Sequence, residues 1–341
     1  MTSEHKALDS KRGISLRERL SFLLKDSVIF GGSLAISKAV ALITFPILAR
    51  HLGVVEYGRL DYFLFLSAFL VILFVFGQDS GVGRYFFDYT TFKDRSQLIT
   101  QSLTSQLVGL ALFVPVFWFS SGYLTPFMIN APDRSQLFNI VLFQLPFQVL
   151  ISFSQNLLRW TLKRTRFLLL SLGSVVSQAV FLIIAILVFD VTTVGILQVF
   201  LISNVIFGFL GVYFIREWLT IPNGFHHLLA MLPFALPYGL ISVMGAFSPS
   251  LERTFTEHII GSNALGEYAV AAKFALLLGL IVNAFQMAWG PFFLNNYKRS
   301  DAADTFNWVL KLFTPFMCVC TLLIALFAKP LITIIATADY V

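Results

Sequence analysis

The sequence predicts an all-α polytopic membrane protein, a two-lobe repeat of six transmembrane helices with the second lobe incomplete, about nine helices in this chain. Three observations predict it. Apolar residues make up 57% of the 341 and charged residues only 12%, with a mean hydropathy of +0.81, too little charge to cover a water-soluble surface. The apolar residues gather into runs near the ~20 residues that a spanning helix needs. Those runs do not alternate: "FLIIAILVF" (181–189) is apolar throughout, whereas a barrel strand alternates apolar and polar positions. In lipid every backbone group must be satisfied inside its own segment, so the runs read as helices.

Nine segments follow in order: 27–49, 60–79, 98–121, 135–157, 167–189, 193–215, 228–250, 264–288 and 309–336. Ahead of them, residues 1–26 carry six Lys and Arg and no small-residue cleavage site, so they read as a cytoplasmic segment before a retained first span rather than as a signal peptide. Within it "ISLRERLSFLL" sets Ile14, Leu16, Leu20 and Leu23 near one helical face, the pattern of a helix lying along the membrane surface.

Basic loops stay on the cytoplasmic side. With the N-terminus inside, sixteen Lys and Arg fall on the cytoplasmic side, and only Arg50, Arg59, Arg134 and Arg253 fall on the other. All five tryptophans sit near segment ends, where indole favours the interface. The basic run "RWTLKRTR" (159–166) reads first as a positive-inside anchor and second as an anionic-headgroup contact; nothing suggests nucleic acid. Cys318 and Cys320, two apart on the ninth segment, point in different directions and suggest no disulfide or metal framework. No metal or cofactor is expected.

Two stretches share one punctuation. Gly53 and Gly58 in "HLGVVEYG" match Gly261 and Gly266 in "IIGSNALG", 208 residues later. A slide of 208 sets segments one, two and three on seven, eight and nine, although only six of 61 residues are identical between 29–89 and 237–297. Both glycine pairs fall in short outer links, where unusual φ values are useful. The sequence therefore divides into the N-terminal segment, a first six-helix lobe over 27–215, and a partial second lobe over 228–341, related by an axis along the membrane normal. A full second copy, shifted by 208 from a lobe ending near 215, would end near 423, so the chain is expected to be a truncated product or to carry a naturally short second lobe.

The stretch "SVIFGGSLAISKAVALITFPILARHLGVVEYGRLDYFLFLSAFLVILFVFGQDSGVGRYF" resembles the opening of the polysaccharide flippases of the multidrug/oligosaccharidyl-lipid/polysaccharide superfamily. The features are a Gly/Ser-rich first helix, Pro46 near its outer end, "LARHLG…EYG", and a second helix closing on Gly and Arg before aromatics. The likeness returns at "IIGSNALGEYAVAAK". It implies two lobes around a central cavity and a transporter that moves a polyprenyl-diphosphate-linked oligosaccharide, such as an O-antigen unit, across the inner membrane. Partners would be that substrate, membrane lipids, and a polysaccharide polymerase or assembly proteins. A drug/cation antiporter of the same superfamily is the second reading, and a non-transporting truncated relative another. A membrane enzyme would call for a large outer loop with acid/base residues, and the outer links are short.

Charges near the bilayer centre are costly and are candidates for function. Lys38 lies mid-way along the first segment and Lys273 near the centre of the eighth, with no Asp or Glu judged similarly deep. The reading is thus a cationic cavity suited to a diphosphate. Arg84, at the inner end of the second segment, is a third candidate, with Asp79 or Asp88 as competing partners. Glu252, Arg253, Glu257 and His258 read as a solvated outer link. Pro46 in segment one and Pro233, Pro237 and Pro249 in segment seven remove backbone bonds in equivalent helices, and we expect them to act as hinges.

Overall fold

In a computed structural model the chain is described over residues 16–189, 191–296 and 302–340. The expected cytoplasmic segment therefore lies outside the described residues as far as Ser15, as does the basic pair Lys298 and Arg299. Nine long helices are described: α1 (Leu16–Val75), α2 (Gln78–Asp88), α3 (Phe92–Phe119), α4 (Arg134–Trp160), α5 (Arg164–Phe189), α6 (Thr193–Ile215), α7 (His226–Phe255), α8 (Ser262–Asn296) and α9 (Ala302–Ile335). Among the described residues no strand occurs.

Seven described helices are long and apolar enough to cross a membrane. The first, Gly31–Val75, is 45 residues, about 68 Å at 1.5 Å per residue and more than twice a hydrocarbon core of about 30 Å. It bends at Gly53 (φ 71°, ψ 178°) and so carries the first two expected segments; α8 carries the eighth. The second segment also ends earlier than its hydropathy suggests. Phe76 (φ 41°) and Gly77 (φ 71°) interrupt it, and α2 resumes at Gln78.

Large apolar side chains cover much of the outer surface, and several amides and hydroxyls are buried among the apolar core residues. Phe119, Leu187 and Leu326 are more than 70% exposed, whereas Gln101, Gln106, Gln144 and Ser154 are at most 2% exposed. Lipid gives helices no hydrophobic reason to associate, so close packing and hydrogen bonds between helices do that work.

The chain forms two compact units. Of the described residues, one holds those up to Thr44, Ser67–Ser121 and Phe138–Phe247; the other holds Phe45–Leu66, Gly122–Leu137 and those from Ser248 onward. In the first unit a polar chain crosses three helices. Ser67 donates to Gln148, Gln148 and Asn204 both donate to Gln144 Oε1, and Gln144 donates to Leu197 O at 2.9 Å. Gln101 of α3 accepts from the backbone N–H groups of His227 and Leu228 at 3.0 and 3.1 Å, supplying two otherwise orphaned donors at the start of α7. The break at Gly77 sits where α1 meets α7: a Cβ there would collide with Ala235 O and Gly239 N. Aromatic residues collect at one end of this unit, with Trp160 and Trp218 both against Phe86. Arg166 of the basic run is committed to Glu217 and to Phe214 O, each at 3.0 Å.

The second unit is built around the two glycine turns. Gly261 (φ 114°, ψ 173°) shares with Gly53 a backbone region that is essentially closed to other residues. Gly58 and Gly266 touch each other: a Cβ on Gly58 would lie 2.7 Å from Gly266 N, and one on Gly266 would strike Val54 O. Arg50 donates to the carbonyls of Ile334, Ile335 and Ala336 and covers the negative end of α9. Tyr340 donates to Ala49 O at 2.8 Å, and its burial raises its phenol pKa, so it remains a neutral donor.

Glycine positions separate packing from conformation. Gly266→Ala is expected to destabilise the protein and Gly53→Ala to cost about 1–3 kcal/mol of backbone strain. Gly32→Ala, with nothing within 4 Å of the added Cβ, is expected to be neutral or to stabilise by about 0.5–1 kcal/mol. Thermal unfolding of the three variants in detergent checks the order.

Candidate functional site

Eight residues past the bend at Gly53, α1 reaches Asp61, flanked by Tyr57, Leu60, Tyr62 and Phe63, all 4% exposed or less. Asp61 itself is 1% exposed. An isolated carboxylate there would carry a desolvation penalty of several kcal/mol, so it needs cations. Two helices provide them. Arg253, in the last turn of α7 and 2% exposed, places Nε 2.8 Å from Asp61 Oδ2. Lys273, three turns into α8 and 22% exposed, places Nζ 2.7 Å from Oδ1. That second approach is an ion contact only, since Oδ1 has no aligned hydrogen-bond donor.

Phe65, one turn on from Asp61, presents its ring to both cations, with Arg253 Cζ at 3.3 Å and Lys273 Nζ at 5.4 Å from the centroid. A cation over a ring face is attracted by the ring quadrupole. Arg253 also donates to Pro249 O at 3.0 Å, and Tyr62 Oη and Thr254 Oγ1 share a hydrogen bond at 3.2 Å. Within the three groups two cations face one carboxylate, a positive surplus that the exposed Glu252, in electrostatic reach of Arg253, partly offsets, and Lys273 is the least buried of the three.

This arrangement corrects the sequence reading twice. Lys273 is not a cation without a carboxylate: Asp61 is as buried as any charged residue described. Nor is the link after α7 simply solvated. Glu252 and His258 are exposed as expected, but Arg253 and Glu257 are 2% and 5% exposed. Arg253 and Glu257 are four apart and so share a helix face, a spacing visible in the sequence.

The other candidates are placed separately. Lys38 is half-buried in the first unit, with no carboxylate in ion-pair reach among the described residues. Arg84 is exposed and pairs with neither Asp79 nor Asp88; it lies over Phe234 instead, 4.5 Å from the ring centroid. Pro46 lies inside α1, and Pro237 and Pro249 inside α7. The helical runs continue through all three, and the interruptions fall at Gly53 and at the π-turn Thr256–Ile260 with Gly261. Among the described residues no group of three His, Cys, Asp or Glu is placed to hold a metal ion.

The sequence profile of one family, described as polysaccharide biosynthesis protein, matches residues 23–296. The chain belongs to that family. Its match takes in the whole of the Asp61–Arg253–Lys273 cluster. Two relatives from Haemophilus influenzae are similar along most of their length. "Lsg locus putative protein 1" is 26% identical over 285 residues, 81% of this chain and 67% of the relative. An "Uncharacterized membrane protein" is 25% identical over 300 residues, 84% of this chain and 70% of the relative. No solved structure matches. A polysaccharide biosynthesis protein with several membrane spans is thus what fold and family give together.

Removing one partner of a buried ion pair costs about 3–5 kcal/mol because the other charge is stranded. Asp61→Asn is therefore expected to lower stability by an amount in that range, and Glu252→Gln, at an exposed carboxylate, by about 1 kcal/mol or less. Equal shifts in the two unfolding curves would contradict the reading of Asp61.

Proposed function

We propose that this protein translocates a polyprenyl-diphosphate-linked oligosaccharide from the inner to the outer leaflet of the cytoplasmic (inner) membrane, for surface polysaccharide biosynthesis. The observation that carries this reading is the surplus positive charge at the buried triad, with Lys273 its partly exposed member. A diphosphate is an anion that can take up that surplus. Lys38 and Arg84, neither ion-paired among the described residues, are carried as further, separate anion contacts.

The N-terminus is assigned to the cytoplasm on the sixteen-to-four distribution of Lys and Arg. The two-lobe repeat is supported by the shared backbone conformation of Gly53 and Gly261 and by the mutual contact of Gly58 and Gly266. In this reading the lobes rock between inward-open and outward-open states, with Pro46, Pro237 and Pro249 softening the helices that bend. The chain acts as a transporter rather than an enzyme, and a polymerase or assembly protein receives its product.

The antiporter reading gains one observation, since Asp61 is the buried carboxylate that cationic drugs call for. That carboxylate already faces two protein cations, which favours an anionic cargo over a cationic one.

Transport of labelled lipid-linked oligosaccharide into the outer leaflet of vesicles tests the proposal. Wild-type protein is expected to move it. Lys273→Ala and Lys38→Ala are expected to reduce the rate at least about tenfold, the effect of losing about 1.4 kcal/mol of charge stabilisation. Lys38→Arg is expected to keep part of it, since the charge stays while reach and donor geometry change. Wild-type rates in both Ala variants would remove these lysines from the site, and export of a cationic dye by a protein inactive on the lipid would support the antiporter.

A further inference from the structure

The basic run at 159–166 is not used by the reading above, and its turn carries a feature that packing does not explain. Helix α4 closes with two bonds, Leu162 N to Arg159 O at 3.2 Å and Lys163 N to Leu158 O at 2.9 Å. That arrangement usually places Gly at its left-handed position. Here the position is held by Leu162, with φ 56°. A bulky residue is strained there, and burial does not offset the strain, since Leu162 is 40% exposed. An outlier of this kind points to a use for the side chain outside the fold.

Around Leu162 the charge is one-sided. The α4–α5 turn and the end of α6 carry Arg159, Lys163, Arg164, Arg166 and Arg216 against one carboxylate, Glu217. Glu217 is taken by Arg166 at 3.0 Å, a contact that also sets the end of α6 beside the start of α5. Arg159 donates to the neutral Asn156 Oδ1, and the exposed Arg216 lies 4.3 Å from the centre of the Tyr213 ring. Those contacts orient the two cations without neutralising them. The ends of α2 and α3 join here through Phe86, Phe92, Trp160 and Trp218. They add Asp88 and Asp94 but also Arg84, Lys93 and Arg95, so the surplus stands. A Cβ on Gly83 would lie 3.1 Å from the Trp160 ring, so bare backbone on α2 seats the indole and holds the turn at this level. Below the cationic rim the same two helices are apolar and open. Leu169, five residues on from Arg164, is 56% exposed, and Phe209, six residues before Ile215, is 62% exposed.

We propose that the α4–α5 turn and the end of α6 form a binding site for an anionic phospholipid of the surrounding leaflet. Its phosphodiester sits among Arg159, Lys163, Arg164 and Arg216, its acyl chains lie on the open face that includes Leu169 and Phe209, and Leu162 enters the membrane interface beside it. A row of cations above an apolar face matches a charged headgroup above its chains, and the long side chains of Arg and Lys reach such a headgroup while their stems stay on apolar surface. The left-handed Leu162 then has a role: it costs the turn some strain and returns apolar contact with the lipid. The site is independent of the transport reading.

The test uses the purified full chain, stripped of lipid in detergent and titrated with phosphatidylglycerol or with phosphatidylcholine of the same acyl chains, retention being read by native mass spectrometry. Phosphatidylglycerol is expected to bind at least tenfold more tightly near 0.1 M salt, and the preference to shrink at 1 M, where the screening length falls from about 10 to about 3 Å. Arg159→Gln, Lys163→Gln and Arg164→Gln together are expected to weaken phosphatidylglycerol at least tenfold, since one Lys or Arg near an anionic surface is worth about fivefold. Leu162→Gly separates the lipid role from a structural one. It relieves the left-handed strain, so it is expected to unfold at a higher temperature in lipid-free detergent and yet to hold phosphatidylglycerol less well. Equal retention of the two lipids overturns the proposal, as does wild-type retention by the triple variant or by Leu162→Gly. Inorganic phosphate that displaces the lipid at equal concentration would reduce the site to a general anion contact. A triple variant that keeps phosphatidylglycerol but stops moving the lipid-linked oligosaccharide would give the cluster to the cargo, and a co-purified protein lost only in that variant would give it to a protein partner; either result overturns the lipid assignment.

Discussion

A carboxylate withdrawn from water has to be neutralised by something held in place, and that requirement at Asp61 organises the rest of its unit. Its two cations come from different helices, Arg253 on α7 and Lys273 on α8, so α1 beyond its bend, the end of α7 and the start of α8 must meet at one point. The meeting is close only because Gly58 and Gly266 present bare backbone to each other. Phe65 then closes one face of both cations with a ring. Remove the glycines and the helices separate; remove the charge and Arg253 is stranded.

The same logic, with weaker groups, runs through the first unit. Gln101 on the N-terminus of α7 and the Ser67–Gln148–Gln144–Asn204 chain hold helices whose outer faces are Leu, Val and Phe. In lipid those outer faces contribute little to association, so the amides carry the specificity of packing. This is why a chain so rich in apolar residues buries Gln97, Gln101, Gln106 and Gln144, and why hydropathy locates its helices without revealing how they pair.

Much of the fold was legible in the sequence for that reason. Segment positions, the turn glycines and the tryptophans at segment ends all follow from local chemistry and the thickness of a bilayer. Two things were not. The break at Phe76–Gly77 lies inside an apolar run, and its cause is the approach of Ala235 and Gly239, more than 150 residues away in the sequence. The site is half visible in the sequence: Lys273 stands out as a charge inside an apolar run, whereas Asp61 sits at the edge of one. Position along a segment measures depth in the bilayer, whereas burial of Asp61 comes from neighbouring helices. Arg253 and Glu257 carried a readable signal in their four-residue spacing, masked by the polar company of Glu252 and His258.

The central claim is that Asp61 and its two cations form one electrostatic unit. Exchanging the charges of one pair tests it most directly, with Asp61→Lys and Lys273→Asp made singly and together and their stabilities measured by thermal unfolding in the same detergent. Each single change puts like charges together in a buried site, so both should unfold well below the wild type, while the exchanged pair should recover a large part of the loss. A double variant no more stable than its worse single parent would contradict the account and reduce the cluster to three charges that happen to be near one another.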